Sequence, residues 1–260
     1  MTGHRARKRF GQHFLHDPGV LRRIVDTIDP HPGEHVVEIG PGRGAMTLPV
    51  LERCGRMTAI ELDRDLIAPL LDRAQGVGQL EVIEADALTV DFSSLAGDAG
   101  GLRLIGNLPY NVSTPLLFHV LGAAGSLRDA HFMLQKEVVD RMVAPPGTKT
   151  YGRLTVMLAA ACTPEKLFDI GPGAFQPPPK VMSSFVRLVP HSTPPFPLPD
   201  ADRYAQFVSR AFSMRRKTLR NALKGLVTAA DIEAAGYDPG ARPETLPPAG
   251  FAALAAIPTT

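Results

Sequence analysis

Residues 35–45 read HVVEIGPGRGA, an apolar run of strand length that ends in a glycine-rich turn. Glycine lets the backbone turn sharply and approach a bound molecule closely, because it has no side chain. A strand that leads through such a turn into a helix is typical of the first unit of an open α/β sheet that binds a nucleotide. This stretch therefore predicts the fold class and places a ligand site at the turn.

The glycine spacing alone fits two kinds of cofactor. Gly40, Gly42 and Ala45 have the G-x-G-x-x-G/A spacing of nicotinamide-binding folds. Glu61 follows Gly40 at the distance expected of an acid that binds the ribose of NAD. The glycines do not decide between a nicotinamide cofactor and another adenosine-containing one.

Three acidic residues favour S-adenosylmethionine over NAD. Glu38 precedes the turn, Glu61 follows the second predicted strand, and Asp86 follows the third. An acid after the second strand can accept both ribose hydroxyls, and an acid after the third can accept from the adenine amine. Together they describe a cradle for adenosine without a pyrophosphate, although each acid alone is as well explained as a surface carboxylate or a helix cap.

Outward from the turn, strand and helix patterns alternate. Several of the strands are apolar throughout, which is typical of a parallel sheet covered on both faces. The sequence therefore predicts an α/β, Rossmann-like, doubly wound sheet. The predicted strands are residues 35–39, 57–62, 80–83, 102–106, 131–134 and 181–188. A first helix is predicted to begin at Asp17 and Pro18, and further helices are predicted at 65–74, 115–121 and 136–143.

The sequence after the sheet changes composition. Residues 189–199 contain five prolines, which can continue neither a helix nor a central strand. Residues 200–260 carry helical patterns without a convincing strand. We therefore expect a catalytic domain over 1–188, a proline-rich linker over 189–199 and a small C-terminal helical domain over 200–260.

A polar and aromatic tetrad follows the fourth long strand. Asn107, Leu108, Pro109 and Tyr110 come at the carboxyl end of the sheet, where ligands bind. The Asn107 side-chain oxygen and the Leu108 carbonyl could accept the hydrogens of an exocyclic adenine amine, whose lone pair is otherwise delocalised into the ring. Tyr110 offers a flat face for the base. Taken in isolation, the tetrad is equally well explained as an Asx turn.

Charge, cysteine content and hydropathy indicate the cellular location, the absence of certain sites and the kind of partner. Net charge is +2, and Cys54 and Cys162 form no metal-binding pattern. No apolar run reaches the length of a membrane span, so we expect a cytoplasmic protein with no membrane, disulfide or metal site. Positive charge is concentrated in residues 5–9 and 210–224, which indicates either a nucleic-acid phosphate partner or a solvated face.

Five ordered motifs make the chain resemble the rRNA adenine N6-dimethyltransferases, which are class I S-adenosylmethionine methyltransferases. Within that family it is most similar to the bacterial small-subunit branch. The resemblance covers residues 9 to about 223. The motifs are RFGQHFL at 9–15, EIGPGRG at 38–44, ELD at 61–63, NLPYNVSTP at 107–115 and FQPPPKV at 175–181.

The resemblance implies roles for individual residues. S-adenosylmethionine would contact His13, Leu15, Gly40, Glu61, Asp86 and Asn107, with Gly42 in the same turn. Tyr110 and Phe175 would hold the target adenine. Position 13 is often asparagine in relatives, so a backbone contact is expected there. The segment at 211–223 is similar to the C-terminal domain of the small-subunit branch, and its RNA-backbone candidates are Arg215, Arg216, Lys217 and Arg220.

The spacing in this segment predicts a helix with two different faces. Arg216, Arg220 and Lys224 fall four residues apart and can meet phosphates on one face. The neighbouring apolar stripe, which packs, consists of Leu219, Ala222, Leu223 and Leu226.

The resemblance also implies the substrate and leaves alternatives. The substrate would be two adjacent adenosines in the 3′-terminal hairpin loop of 16S rRNA, each methylated twice within an assembling small subunit, by an enzyme that we expect to be monomeric. An Erm-type 23S rRNA enzyme or a DNA adenine methyltransferase would share the chemistry. A ribosome-assembly or transcription factor without catalysis, or a nicotinamide oxidoreductase, would share the fold.

Overall fold

The computed structural model describes residues 13–96, 101–198, 200–214 and 216–258. The basic segment 5–9, the first residues of the RFGQHFL motif and Arg215 therefore lie outside the described residues. Two compact units divide the chain: residues 1–139 with 165–190, and residues 140–164 with 191–260. Among the described residues, no helix has the length and apolar character needed to cross a membrane.

A seven-stranded sheet is the framework of the first unit, and it confirms the predicted fold class. Its order is β4-β3-β2-β5-β6-β9-β7, and the strands from β4 to β6 run parallel to one another. The strands in chain order are β1 (Phe14–Leu15), β2 (His35–Ile39), β3 (Arg56–Glu61), β4 (Gln79–Glu84), β5 (Leu102–Asn107), β6 (Leu127–Gln135), β7 (Cys162–Ile170), β8 (Phe175–Gln176) and β9 (Ser183–Pro190).

Helices connect the parallel strands, as βαβ geometry requires. The first one begins as its sequence predicts, because the Asp17 carboxylate accepts the N–H groups of Gly19 and Val20 and Pro18 occupies the first turn. The helices are α1 (Pro18–Ile28), α2 (Thr47–Cys54), α3 (Arg64–Ala74), α4 (Phe92–Leu95), α5 (Ser113–Gly122), α6 (Lys136–Met142), α7 (Arg153–Ala161), α8 (Ala201–Ser213), α9 (Leu219–Ala222), α10 (Ala229–Ala234) and α11 (Pro248–Ala255).

The last two strands of the sheet differ from the others. β9 runs antiparallel to β6, so its first residues lie at the carboxyl edge of the parallel strands. β7 occupies the outer position beside β9. It contains Pro164, which a sheet tolerates on an edge strand because no neighbour needs its missing N–H.

The core of the first unit extends to the short strand β1. β1 pairs antiparallel with β8, matching Leu15 with Phe175. Both side chains are buried in the same apolar cluster as Ile24, Met133 and Phe185. This pairing holds residues 13–15 against the main body of the unit.

The second unit has its own apolar core. Tyr204, Phe207 and Phe251 are fully buried there, and the Tyr204 hydroxyl donates to the Val156 carbonyl at 2.8 Å. Residues 140–164 belong to this unit, which differs from the predicted boundary at residue 188. Phe196, which belongs to the predicted linker, packs against this core.

Candidate active site

A cavity of about 280 Å³ lies in the first unit at the carboxyl edge of the sheet. Its wall consists of the turn after β2, the residues that follow β3, β4 and β5, and the short strand β1. This edge binds ligands in open α/β sheets, since the loops after successive strands converge there. The residues lining it include His13, Leu15, Gly40, Gly42, Glu61, Asp86, Asn107, Leu108, Pro109 and Tyr110.

The glycine-rich turn requires glycine for both backbone and packing reasons. Gly40, Gly42 and Gly44 have φ values of 68°, 57° and 77°, in the left-handed region that residues with a side chain rarely adopt. A Cβ on Gly42 would lie only 3.1 Å from the Phe14 ring, and a Cβ on Gly44 would lie 2.5 Å from Leu70. The turn is thereby packed between β1 and α3 and presents its backbone to the cavity.

Glu61 ends β3 and connects two sides of the cavity. Its Oε2 accepts the N–H of Gly42 at 3.0 Å, and its Oε1 accepts the N–H of Asp63 at 2.8 Å. Burial raises the pKa of this carboxyl, and the two backbone hydrogen bonds oppose that rise. Each oxygen keeps a second lone pair, so the carboxylate can also accept the two hydroxyls of a ribose.

Glu38 and Asp63 are the two most deeply buried acids in the described cavity wall. Glu38 is 2% exposed, and within the described part of the chain its Oε2 has no hydrogen-bond partner. Burial raises its pKa to about 8; the charge of Glu61 adds to this rise and the Thr47 hydroxyl opposes it. A buried carboxyl without a partner fits a cationic ligand with N–H donors, such as S-adenosylmethionine, better than an anionic pyrophosphate.

Asp86 lies in the loop after β4, at the rim of the same cavity. Its Oδ1 accepts the N–H of Leu88 at 3.0 Å, and the hydroxyl of Thr89 donates to its carbonyl at 2.8 Å. These local bonds form an Asx turn that fixes the carboxylate at the cavity rim, where it can also meet an adenine amine.

The amide of Asn107 is oriented by the backbone carbonyl of the residue before β1. Its Nδ2 donates to the carbonyl of His13 at 2.9 Å. Because a carbonyl can only accept, the amide nitrogen must face His13, and Oδ1 is left as an acceptor on the opposite side. The N–H of the next residue, Leu108, donates to the Met133 carbonyl at 3.1 Å, which ties the tetrad to β6.

The ring of Tyr110 is held on one face and at its hydroxyl. The His13 ring stacks on it with centroids 5.5 Å apart and an interplanar angle of 30°. The Tyr110 hydroxyl lies 2.7 Å from the Ser183 hydroxyl, while His13 Nδ1 donates to the Pro177 carbonyl at 2.8 Å. Burial raises the pKa of Tyr110, so this phenol stays neutral near pH 7 and acts as a surface rather than as a base.

Residues 3–255 match the family described as Ribosomal RNA adenine dimethylase. The match spans nearly the whole chain, including both compact units. The chain belongs to the ribosomal RNA adenine dimethylase family. This confirms the family resemblance of the five sequence motifs.

Curated relatives of this dimethylase family member carry the name "Ribosomal RNA small subunit methyltransferase A". The protein from Acinetobacter baylyi is 54% identical over 252 residues, covering 97% of this chain and 92% of the relative. The protein from Xanthomonas campestris pv. campestris strain 8004 is 55% identical over 252 residues, covering 97% and 96%. Likeness of this extent spans both compact units.

Two solved structures share the fold at lower identity. A dimethyladenosine transferase from Plasmodium falciparum has a TM-score of 0.77 at 26% identity, with 93% of this chain and 96% of that chain covered. The 23S rRNA methyltransferase ErmE has a TM-score of 0.74, also at 26% identity, with 93% and 98% covered. The fold is therefore shared with one protein named for adenosine dimethylation and with another named for 23S rRNA.

Phe175 is the predicted base-contacting residue that the structure does not bring to the cavity. Its side chain is 1% exposed and packs in the apolar core, because β8 pairs with β1 and turns this ring inward. It is absent from the described lining of the cavity, whereas Tyr110 is part of it. The role of Phe175 in holding the base stays a prediction.

The basic segment of the second unit also differs from its prediction. Arg216, Arg220 and Lys224 were expected to share a continuous helix face, but α9 covers only Leu219–Ala222. Thr218 begins this short helix, and Gly225, with φ of 86°, follows it. Arg216, Lys217 and Arg220 remain exposed, while Leu219, Ala222 and Leu223 are buried as the apolar stripe predicted.

Sequence reasoning missed two groups that shape the site. The His13 carbonyl orients Asn107 across 94 residues of chain, and the Ser183 hydroxyl meets Tyr110 across 73. Neither a backbone carbonyl nor a single serine has a sequence signature. Only the pairing of β1 with β8 and of β6 with β9 explains their positions.

Proposed function

We propose that this protein uses S-adenosylmethionine to dimethylate the N6 amines of two adjacent adenosines in the 3′-terminal hairpin loop of 16S rRNA during small-subunit assembly. The observation that carries the proposal is the Asn107 amide, whose Nδ2 is committed to His13 and whose Oδ1 remains an acceptor at a cofactor-sized cavity. The small-subunit relatives, at 54% and 55% identity, support the choice of RNA.

The proposed cofactor contacts are His13, Leu15, Gly40, Gly42, Glu61, Asp86 and Asn107. S-adenosylmethionine, when bound, supplies a methyl group on a positively charged sulfonium. Glu61 accepts the ribose hydroxyls, Asp86 accepts from the adenine amine, and the open backbone at Gly40 and Gly42 allows close approach. The buried Glu38 carboxyl contributes an acceptor near the positive charge of the cofactor.

The tetrad prepares the adenine amine for attack. Asn107 Oδ1 and the Leu108 carbonyl accept the two amine hydrogens, which draws the lone pair back from the ring onto nitrogen. Pro109 restricts Leu108 to extended backbone, and Tyr110 stacks on the base through the face that His13 does not cover. Aligning the nitrogen with the methyl group supplies much of the rate enhancement, so no strong base is needed.

The RNA backbone is contacted by the exposed basic residues of the second unit. Arg216, Lys217 and Arg220 project from a turn and a short helix whose apolar residues are buried, and Arg215 belongs to the same proposed set. Cations that neutralise phosphates release counterions, which makes binding depend on salt concentration. We expect a monomer that acts in the cytoplasm, where ribosomal subunits assemble.

The second candidate function is Erm-type methylation of 23S rRNA, favoured by the structural likeness to ErmE. The test compares methyl transfer to small subunits that lack the dimethylation with transfer to large subunits, at equal concentrations. Rapid transfer to small subunits alone supports the proposal, and transfer to large subunits alone supports the Erm alternative. Tight binding of small subunits without transfer would instead indicate a non-catalytic assembly factor.

A further inference from the structure

Ser183 is a buried hydroxyl beside the tetrad that none of the proposed roles uses. It is the first residue of β9, is 0% exposed, and places its Oγ 2.7 Å from the Tyr110 hydroxyl. The half-buried Tyr110 hydroxyl gains a hydrogen-bond partner in Ser183, because serine can both donate and accept. Because Ser183 is buried, this hydrogen bond belongs to the structure of the site and is not an incidental surface contact.

The reversed direction of β9 brings Ser183 to the catalytic edge. Asn107 on β5 pairs with Met133 on β6, and Met133 pairs with Phe185 on β9. Ser183 pairs with Gln135, two residues farther toward the carboxyl edge, a rise of about 7 Å. This is the level that the tetrad reaches after Asn107, so the sheet register itself places Ser183 opposite Tyr110.

The adjacent residue, Ser184, has the opposite orientation. Successive side chains on a strand point to opposite faces of a sheet. The Ser184 hydroxyl accordingly donates to the Asp169 carboxylate at 2.5 Å, while Ser183 meets Tyr110. Both serines are 0% exposed, so Ser184 is a matched control for any effect of losing a buried hydroxyl from β9.

The two contacts of Tyr110 restrain different motions of its ring. Stacking on His13 limits movement perpendicular to the ring, but it permits sliding within the ring plane because stacking has little directional preference. A hydrogen bond at the hydroxyl fixes the far end of the ring and prevents this sliding. Both contacts are needed to hold a base on the open face in one position.

We propose that Ser183 is a positioning residue for methyl transfer, acting through Tyr110 to keep the target base aligned in both methylation steps. The inference rests on the proposed function. The second step is the more demanding, because the N6-methyl group already present adds bulk beside Asn107. Loss of the tether should therefore slow transfer and leave more adenosine at the monomethyl stage.

The experiment measures single-turnover rate, cofactor Kd and the ratio of monomethyl to dimethyl adenosine for Ser183→Ala, with Ser184→Ala as control. For Ser183→Ala we expect a rate about 5 to 10 fold lower, the effect of losing one hydrogen bond. We also expect a higher monomethyl fraction and an unchanged cofactor Kd. Ser184→Ala should leave the product ratio at its wild-type value, and Ser183→Thr, which keeps a hydroxyl, should restore dimethylation.

A double-mutant cycle with Tyr110→Phe tests the route of the effect. If Ser183 acts through the Tyr110 hydroxyl, adding Ser183→Ala to Tyr110→Phe should change the rate by less than about twofold. Should Ser183→Ala not fold, Tyr110→Phe alone must still raise the monomethyl fraction. The inference would be overturned if Ser183→Ala or Tyr110→Phe gave the wild-type ratio of monomethyl to dimethyl adenosine. It would also be overturned if the rate reductions of the two single variants multiplied in the double variant. An inactive wild-type protein would instead refute the proposed function.

Discussion

Replacing Asn107 with alanine removes the acceptor that we assign to the adenine amine. Asn107 ends β5, and its Nδ2 donates to the His13 carbonyl at 2.9 Å, which fixes the position of Oδ1. A preorganised polar group that acts on charge developing in a transition state contributes about 10² to 10³ in rate, or about 3 to 4 kcal/mol. We expect Asn107→Ala to reduce the methyl-transfer rate by that factor.

A second variant separates the acceptor from the orientation of the amide. Asn107→Asp keeps one oxygen at the acceptor position but replaces the donor with an oxygen that faces the His13 carbonyl. Two acceptors repel there, in addition to the cost of about 1 to 3 kcal/mol that the unpaired carbonyl carries in both variants. We therefore expect Asn107→Asp to lose activity and also to lower the free energy of unfolding, whereas Asn107→Ala lacks the repulsion.

The assay is single-turnover transfer of labelled methyl to small subunits under saturating cofactor. RNA affinity, measured by filter binding, should change little in both variants, because the proposed phosphate contacts come from Arg216, Lys217 and Arg220. Cofactor binding, measured by calorimetry, identifies any loss of occupancy. A rate for Asn107→Ala within about threefold of wild type, at full occupancy, would refute the role of Asn107.

Three other changes test the electrostatics of the site and of the basic segment. Glu61→Ala should raise the Kd for S-adenosylmethionine about 10 to 100 fold, because two charged hydrogen bonds to ribose are lost; an unchanged Kd in calorimetry contradicts the assignment. Arg216→Ala combined with Arg220→Ala should reduce the slope of log K for RNA binding against log salt concentration by about 2. An unchanged slope would mean that both residues lie on a solvated surface and contact no phosphates. The pKa of Glu38 is raised from 4.5 to about 8 in the folded state, so the folded protein holds a proton that the unfolded chain releases between these pH values. Stability should therefore fall as pH rises from about 5 to 8, by at most about 5 kcal/mol, and Glu38→Gln should remove this dependence in urea unfolding. If wild type and Glu38→Gln differed in free energy of unfolding by the same amount at pH 5 and pH 8, the raised pKa of Glu38 would be contradicted.

The fold was largely predictable because its strands are apolar and its connections are regular. The run at 35–39 agrees with β2, and the other parallel strands were predicted with end shifts of a few residues. β7 was missed because Cys162–Ile170 contains Pro164 and three charged residues, a composition that only an edge position tolerates. No pattern in the sequence of residues 140–164 indicates which compact unit they belong to.

The cavity lining was predictable because motifs at the ends of parallel strands converge on one edge. Glu61, Asp86 and Asn107 lie at or just after the ends of three different strands and line the same cavity. Contacts that depend on strand register could not be read in this way. Phe175 was assigned to the base from its motif, but pairing of β8 with β1 buries it, and Ser183 reaches Tyr110 only because β9 is reversed.

The most direct test is the position and number of methyl groups that the purified protein adds to small subunits from cells lacking the dimethylation. Labelled S-adenosylmethionine supplies the methyl groups, and mass mapping of the RNA locates them. The account predicts about four methyls per subunit, two on each of two adjacent adenosines in the 3′-terminal hairpin loop of 16S rRNA. Methyl groups at any other site, or exclusively on large-subunit RNA, would contradict it.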